Sequence, residues 1–402
     1  MMDFNLTNEQ ELLRDGLGRF LATRYDLDKS RTAAKSGAGW QPEIWRGFAD
    51  ELGILGATLP EDVGGMGGGP VELMVITEAL GHALVVEPYV DTVVVGGGLL
   101  RRAGGEAATS VLERIVAGTA VVALAAAEPT SGDRWQHVTT TAERHGDDWV
   151  LNGTKIVAVG APLATHLLVT ARTSGTGLLP LGISLFLVDL DRAGPGFEVH
   201  SYPTIDDRRA ADLVFDRLRL PAGALLGDEG QAWSSVAQAR DEGAAAICSE
   251  AVGCMRKVLS DTVGYCKQRQ QFGQPIGSFQ VLQHRMVDMY MELEQAMAAV
   301  YLAILHLAAE PASRARAVSA AKATIGRAAR FIGQNAVQLH GGMGMTEELA
   351  IGHYFKRLTA IQYEFGSADY HLARYAELTN PADDVVGAPH AGGVESAGVT
   401  NR

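Results

Sequence analysis

The chain has 402 residues, 47% of them hydrophobic and 20% charged, which is enough for two or three globular domains. Its formal net charge of −13 argues against a nucleic-acid partner, which would require a basic surface. No apolar run reaches the roughly 20 residues that span a bilayer, and the first ten residues lack the apolar region of a signal peptide. We therefore expect a cytoplasmic protein with no nucleic-acid or membrane partner.

Cysteine and histidine positions bear on disulfides and metals. The three cysteines, Cys248, Cys254 and Cys266, lie in one predicted helix, so buried free thiols are more plausible than a disulfide framework. The eleven histidines are scattered along the chain, and no pair has the close spacing typical of zinc ligands. We predict no metal site.

Helical patterns fill residues 1–117 and predict an all-helical N-terminal domain. Thr7 and Gln10 form the capping box of a first helix, and Pro42 begins a later one. Further helices are predicted at about 70–82, 89–103 and 106–117. The glycine-rich run 64–70 follows no strand and does not match G-x-G-x-x-G, so we interpret it as a connector and not as a phosphate-binding loop.

The pattern changes at Thr119 to short segments rich in β-branched residues and separated by turn residues. We predict strands at 121–125, 138–143, 149–151, 155–159, 166–171, 183–190, 197–200 and 212–220, with a hairpin turn at 145–148. Several strands at this spacing without intervening helices predict an antiparallel β barrel or sandwich over residues 118–225.

Long helical patterns return over residues 226–380 and predict a C-terminal four-helix bundle. The first helix, at about 233–267, is rich in small residues, and the second, at about 276–307, has apolar residues at steps of three and four. A third is predicted at about 313–339, and a fourth from about 349 with a possible break near Gly366. Residues 381–402 are rich in Gly, Ala and Pro without periodicity, and we expect this tail to be disordered.

A polar corner joins the first two bundle helices. It carries Arg269, whose planar fork of donors suits a phosphate group. The order Arg-x-x-Phe-Gly-x-Pro-Ile-x-x-Phe-Gln at 269–280 resembles the C-terminal signature of the acyl-CoA dehydrogenase family of flavoproteins. The resemblance covers about residues 3–380, and the domain order is that of the family. It implies an FAD-dependent enzyme that converts an acyl-CoA to the trans-2-enoyl-CoA, with electron-transfer flavoprotein as its acceptor.

The resemblance also implies which residues bind FAD. Arg269, Phe272 and Gln280 at the corner, with Gln338 and Gly342 after the third helix, would reach across a dimer interface to a flavin held mainly by the other subunit. A homo-oligomer or a heteromer with a homologous chain, as a dimer or a tetramer, is therefore expected.

The flavin-ring side departs from the family pattern. Thr-Glu-Pro-x-x-Gly-Ser-Asp becomes Ala-Glu-Pro-Thr-Ser-Gly-Asp at 127–133, one residue short and without its threonine, and Trp-x-Thr aligns with Val-Ala-Val at 157–159. Glu128 and Ser367 remain as cofactor-binding candidates on this side. Backbone groups of these strands could also contribute.

The position of the catalytic base is also changed. Dehydrogenation requires a carboxylate that removes the α-proton while the β-hydrogen leaves as hydride to the flavin. The family glutamate falls twenty-four residues after Gly341, where this chain has Phe365. Glu364 is one position early, which is a rotation of about 100° along a helix. An irregular backbone at Gly366 could turn the Glu364 side chain back toward the substrate, and Glu364 is our candidate base.

Some family members carry the base on the first bundle helix instead. That position is Gly243 here, preceded by Asp241 and Glu242, and the substrate-binding arginine that normally follows is Ala244. A solvated or ion-paired role is the alternative interpretation of both Glu364 and Glu242.

Two functional hypotheses follow. The chain is either a self-sufficient acyl-CoA dehydrogenase with Glu364 as base, or a half-site subunit that lends FAD-binding groups to a homologous partner. In overall sequence it most resembles the small subunits of pimeloyl-CoA-type acyl-CoA dehydrogenases. The sequence does not define the acyl group.

Overall fold

The computed structural model of the chain describes residues 6–36, 39–176 and 179–380. The predicted tail at 381–402 lies outside these residues. The predicted fold class is confirmed, because a central sheet region lies between N-terminal and C-terminal helical regions. None of the helices within the described ranges is long and apolar enough to cross a bilayer.

The described residues of the N-terminal region form six α-helices: α1 Asn8–Arg24, α2 Leu27–Lys35, α3 Pro42–Asp50, α4 Pro70–Ala83, α5 Gly97–Ala103 and α6 Gly105–Val116. The predicted capping box is present, since the backbone N–H of Gln10 donates to Thr7 Oγ1 at 3.3 Å and that of Thr7 to Gln10 Oε1 at 3.0 Å. The single helix predicted at 89–103 is instead a π-helical turn, Val90–Gly96, followed by α5. Such turns are frequent at functional sites.

Eight strands form one sheet: β1 Val122–Ala125, β2 Thr141–His145, β3 Asp148–Val159, β4 His166–Arg172, β5 Ile183–Asp189, β6 Phe197–Pro203, β7 Arg209–Leu220 and β8 Leu225–Leu226. The strand order is β6-β7-β3-β2-β4-β5-β8, with β1 also paired to β4. Most pairs are antiparallel as predicted, but β1 and β2 each pair with β4 in parallel. The two strands predicted at 149–151 and 155–159 are one long strand, β3, whose pairing with β7 has two irregularities.

Five α-helices form the C-terminal region: α7 Trp233–Gln268, α8 Gln280–Leu305, α9 Pro311–His340, α10 Ala350–Ile361 and α11 Ala368–Thr379. The predicted break near Gly366 separates α10 from α11. The small residues of α7 let α4 approach closely, because the backbones of Glu250 and Glu78 leave no room for a side chain at Gly81 and Gly253. The three cysteines are buried and free.

The apolar core has two parts. Residues of the N-terminal helices and the C-terminal bundle share one large cluster, whereas the inner face of the sheet has its own, in which Trp149 and Phe186 meet edge to face at 5.2 Å. Of the candidate site residues, Glu128 follows β1, Glu364 and Ser367 lie in the turn between α10 and α11, and the others lie where α7 and α9 end and α8 begins.

Candidate functional site

The corner between α7 and α8 is exposed and projects two of the predicted FAD-binding side chains. Arg269 ends α7, and a two-stranded hairpin of Gln270–Gln271 and Gln274–Pro275 follows it. Phe272 at the hairpin tip has φ +54° and is 89% exposed, resting edge-on against Phe279 at 6.0 Å. Arg269 makes no ion pair with another described residue. An unpaired guanidinium beside an outward aromatic ring is suited to an anionic, ring-bearing ligand.

The end of α9 lies beside this corner. Tyr265 on α7 stacks on His340 at 4.3 Å, and its hydroxyl donates to the His340 carbonyl at 3.5 Å. Gln338 and Gly342 near this contact, like Gln280 at the start of α8, are exposed. The structure therefore brings the five residues of the predicted pyrophosphate and adenosine site to one end of the bundle.

Glu128 lies in the core and not at an open ring site. One carboxylate oxygen accepts from Lys155 Nζ at 2.7 Å and Thr140 N at 3.0 Å, and the other from Thr139 N at 2.7 Å and the Thr139 hydroxyl. Burial disfavours the charged form, but Lys155 and Thr139 outweigh it and lower the pKa of Glu128 to about 2. Four donors fill the acceptor capacity of a carboxylate, so the Glu128 side chain has its partners within the protein and the cofactor role predicted for it stays a prediction.

Ser367 also has internal partners. Its hydroxyl donates to Asp133 Oδ2 at 2.8 Å and accepts from the backbone N–H of Tyr370 at 3.2 Å, which makes it the N-cap of α11. This side chain therefore joins the bundle to the loop before β2, and the structure places it in a capping role.

The strand that carries the family's ring-binding residues is irregular here. Val157 on β3 has φ +50° and is half exposed, and its backbone N–H donates to Asp212 Oδ1 at 3.0 Å. The Tyr202 hydroxyl donates to the same oxygen at 2.7 Å. The backbone group that could have met a flavin at Val157 is therefore already bonded within the sheet.

The turn 362–367 between α10 and α11 carries the family base position. Phe365 occupies it with φ +56°, and Gly366 follows with φ +118°. A positive φ is rare for an aromatic residue and indicates a turn held by its surroundings. The phenyl ring packs on α7 at Gly243, where a Cβ would lie 2.6 Å from ring carbon Cε1. The two positions at which the family places its base are therefore in contact here, and they hold a phenyl ring and a glycine.

A buried lysine fixes the backbone of this turn. Lys322 on α9 is fully buried, and its Nζ donates to the carbonyl oxygens of Ile361, Gln362 and Gly366 at 2.9, 3.2 and 2.8 Å. These carbonyls would otherwise lack partners at the end of α10, so one cation satisfies three acceptors there.

Arg240 joins the same turn to the loop before β2. It is 3% exposed, and it donates from Nε to the Phe365 carbonyl at 3.0 Å and from Nη1 to the Asp133 carbonyl at 2.7 Å and the Tyr370 hydroxyl at 2.9 Å. Its guanidinium lies 4.8 Å from the Trp135 ring centroid and 4.2 Å from that of Tyr370. Aromatic rings and a cation therefore pack together beside the family base position.

Glu364 is paired with a buried arginine. Arg357 on α10 donates to both carboxylate oxygens of Glu364, to Glu250 at 2.7 and 3.1 Å, and to Asp206 at 2.9 Å. Arg208 also donates to Glu250, at 2.7 Å. Burial alone would lower the pKa of Arg357, but its acidic partners raise it well above the ordinary value. The structure thus gives Glu364 the ion-paired role that the sequence left as the alternative.

The carboxylates beside Gly243 are paired as well. Arg102 Nη1 donates to both oxygens of Glu242, at 2.8 and 2.9 Å. Asp241 accepts from Arg314 at 3.4 Å and from Arg374 at 2.6 and 3.2 Å. No carboxylate next to either family base position is therefore free of a cation among the described residues.

Sequence reasoning missed the cations that organise this region. Lys322 carried a weak signal, since a lone lysine interrupts an otherwise small and apolar stretch of α9. Arg240 and Trp135 carried none, because their partners come from residues more than a hundred positions away. Arg357 lies seven residues before Glu364, but its other partners, Glu250 and Asp206, are also more than a hundred positions away.

Comparison with known proteins identifies the family. The chain matches the acyl-CoA dehydrogenase N-terminal domain over residues 7–119, the middle domain over 123–218 and the C-terminal domain over 230–378. It belongs to the acyl-CoA dehydrogenase family. Members are FAD flavoproteins and oxidoreductases that act on the CH–CH bond of acyl-CoA, which confirms the predicted family, enzyme class and cofactor type.

Three relatives illustrate the match. Acyl-CoA dehydrogenase FadE12 of Mycobacterium tuberculosis is 31% identical over 86% of this chain and 89% of its own length. Subunit CarC of the caffeyl-CoA reductase-Etf complex of Acetobacterium woodii is 29% identical over 76% of this chain and 81% of its own. The solved Tcur3481-Tcur3483 steroid ACAD is 27% identical with a TM-score of 0.83, covering 93% of this chain and 98% of that one.

Proposed function

We propose that this chain is a half-site subunit of a heteromeric acyl-CoA dehydrogenase, which donates FAD-binding groups to a homologous, catalytic partner. The observation that carries the proposal is the contact between Phe365 and Gly243. These are the two positions at which the family places its base, and neither holds a carboxylate here. General-base removal of an α-proton requires such a group within hydrogen-bond reach of the substrate.

The neighbouring acids do not replace the missing base. A carboxylate held by a guanidinium keeps its charge but has its lone pairs committed to that partner. Glu364, Glu242 and Asp241 are all in this condition. Moving Glu242 onto a substrate carbon would leave the largely buried Arg102 without its carboxylate partner, which is costly, and moving Glu364 would remove one of the three acids that Arg357 binds. The self-sufficient enzyme with Glu364 as base is therefore the less supported hypothesis.

The FAD-donating end has the opposite character. Arg269, Phe272, Gln280, Gln338 and Gly342 are exposed together at one end of the bundle. Bound FAD supplies the redox chemistry. In our proposal Arg269 pairs with its pyrophosphate, Phe272 packs on it from outside, and Gln338 donates to it. The ring-side residues of this chain do not fit the flavin, because Val157, Ala158 and Val159 offer no side-chain donor.

A surface for the partner adjoins this end. The outer side of α8 exposes a row of apolar residues, namely Val281, Val287, Tyr290, Met291, Leu302 and Leu305. A stable interface needs a contiguous apolar patch of this kind. We propose a mixed dimer or tetramer in the cytoplasm, with an acyl-CoA bound by the partner and electron-transfer flavoprotein as the acceptor.

The test is native mass together with the flavin-to-protein ratio, measured for the chain alone and co-expressed with a larger homologue. We expect a dimer or tetramer with little flavin and little activity from the chain alone. Co-expression should give a mixed tetramer with about one flavin per unlike pair. A flavin-saturated homotetramer that oxidises acyl-CoA unaided would overturn the proposal and restore the self-sufficient enzyme.

A further inference from the structure

A cavity of about 300 Å³ lies between the N-terminal helices and α7, and of the acids described above only Glu242 lines it. Its lining includes neither Gly243 nor Phe365. The apolar part of the wall consists of Leu59, Leu73, Val93, Val94 and Leu307, which come from the segment before α4, from α4, from the π-helical turn and from the segment after α8. At about 30 Å³ per water molecule, this volume suits a ligand of about ten non-hydrogen atoms.

The glycine-rich connector 64–70 forms one side of this cavity. Its backbone is fixed, since the N–H of Gly67 donates to the Leu59 carbonyl at 2.8 Å and that of Gly68 to the Ala57 carbonyl at 2.8 Å. A Cβ at Gly68 would lie 2.5 Å from the Ala57 oxygen, so glycine is required for this close approach. The connector is therefore an ordered wall of the cavity with a fixed backbone, which the sequence alone did not indicate.

The polar end of the cavity contains an ion-paired acid and one cation that has no partner within the described part of the chain. Glu242 lines the cavity, but Arg102 binds both of its oxygens and Gln238 Nε2 donates to Oε1 at 3.0 Å. Gly98 makes room for this pair, because a Cβ there would lie 2.7 Å from Glu242 Oε2. Arg101 also lines the cavity, is exposed, and has no hydrogen bond or ion pair to any other described residue.

We propose that this cavity binds a small monocarboxylate with an apolar body of about eight carbons. The carboxylate would pair with the Arg101 guanidinium at the mouth, where the charge of Glu242 is already compensated by Arg102. The body would lie against the apolar wall. Charge-assisted pairing with one apolar contact surface is the usual composition of a small-ligand site.

The experiment uses the purified full-length chain and sodium octanoate, with binding measured by calorimetry and by the shift in melting temperature. Octanol and octylamine, which have the same chain length, are the ligand controls. Octanoate should bind and raise the melting temperature, whereas octylamine should not. Arg101→Met should weaken octanoate binding about tenfold or more, while Arg101→Lys should retain most of it.

A second variant avoids disturbing the core. Ala308 is exposed and lines the cavity, so Ala308→Trp should cover the mouth and abolish binding without overpacking. Absence of octanoate binding at millimolar concentration would overturn the proposal. Equal binding to wild type, Arg101→Met and Ala308→Trp would overturn it too, because the ligand would then lie elsewhere. The assay needs neither flavin nor a partner chain, so its outcome is independent of the half-site proposal.

Discussion

The flavin site of the family has a pyrophosphate end and a ring end, and this chain differs between the two. At the corner between α7 and α8, Arg269 and Phe272 are exposed and have few internal contacts. At the turn after α10, most polar groups are bonded within the protein: Lys322 binds three carbonyls, and Arg357 binds Glu364, although the buried Nη2 of Arg240 has no partner among the described residues. One region is exposed to solvent, and the other is bonded mainly to the protein itself.

The difference shows how a catalytic position can be lost while the fold is kept. Removing a base from a cleft would leave a cavity and unpaired polar groups, both of which destabilise a protein. Here the phenyl ring of Phe365 fills the space beside Gly243, and buried cations bind the backbone around it. We call this turn and the cations bound to it, Lys322, Arg240 and Arg357, the closed region. It therefore contributes to stability at the place where other family members carry their catalytic base.

The largest expected effect concerns the arginine at the centre of the closed region. Arg357→Met removes a partner of Glu250, Asp206 and Glu364 together and leaves the two buried acids Glu250 and Asp206 with Arg208 alone among the described cations. We expect a loss of about 3–5 kcal/mol in unfolding free energy, measured by urea denaturation. Arg269→Met at the exposed corner is the matched control and should change the unfolding free energy by less than about 0.5 kcal/mol. Equal effects of the two variants would contradict the contrast between the regions.

The second prediction concerns pH. Glu87 is buried within reach of the charge of Arg208, which shares Glu250 with Arg357. Burial raises the pKa of Glu87 from 4.5 to about 7. The folded state then holds the proton more tightly than the unfolded state, so stability falls as pH rises from about 4.5 to about 7. Glu87→Gln should remove this component and stabilise the protein by roughly 1–3 kcal/mol above pH 7. Urea denaturation at pH 5 and pH 8 measures it, and an unchanged slope against pH in the variant would refute the assignment.

The exposed corner was the more predictable of the two regions. Its residues lie within one corner and one helix end, and the family resemblance located Arg269, Phe272 and Gln280 by the order of residues at 269–280 and Gln338 and Gly342 by the run 338–342. The helices of the bundle and the break at Gly366 were likewise predictable, because periodicity and glycine act over short range. The π-helical turn at Val90–Gly96 was not, since π-helical geometry has no distinct periodic pattern.

The closed region could not have been derived in this way. Glu364, two residues before Gly366, was equally consistent with a base and with an ion pair, and its partner, Arg357, also binds Asp206 between β6 and β7 and Glu250 on α7. The internal partner of Glu128 was not predictable for the same reason, because Lys155 comes from the far side of a hairpin. Charges paired across domains leave no local pattern in a sequence.

The third prediction tests the exposed corner directly. In the co-expressed complex, Arg269→Ala should weaken FAD binding about ten- to a hundredfold, because a charge-assisted bond to the pyrophosphate contributes roughly 1.5–3 kcal/mol. Flavin fluorescence titration measures this, with Lys267→Ala, also exposed at the end of α7, as the control. Unchanged affinity in Arg269→Ala would remove this residue from the flavin site.

The smallest expected effect is also the one that best separates the two functional hypotheses. Glu364→Gln keeps the side-chain size but removes the carboxylate from Arg357, which retains Glu250 and Asp206. Because the pair is partly exposed, with Glu364 20% accessible, we expect a loss of about 1 kcal/mol in stability. The rate of flavin bleaching by acyl-CoA in the mixed complex should be unchanged, since the proton goes to a base on the partner. A collapse of bleaching with FAD still bound would instead identify Glu364 as the base, with the Arg357 pair opening during turnover.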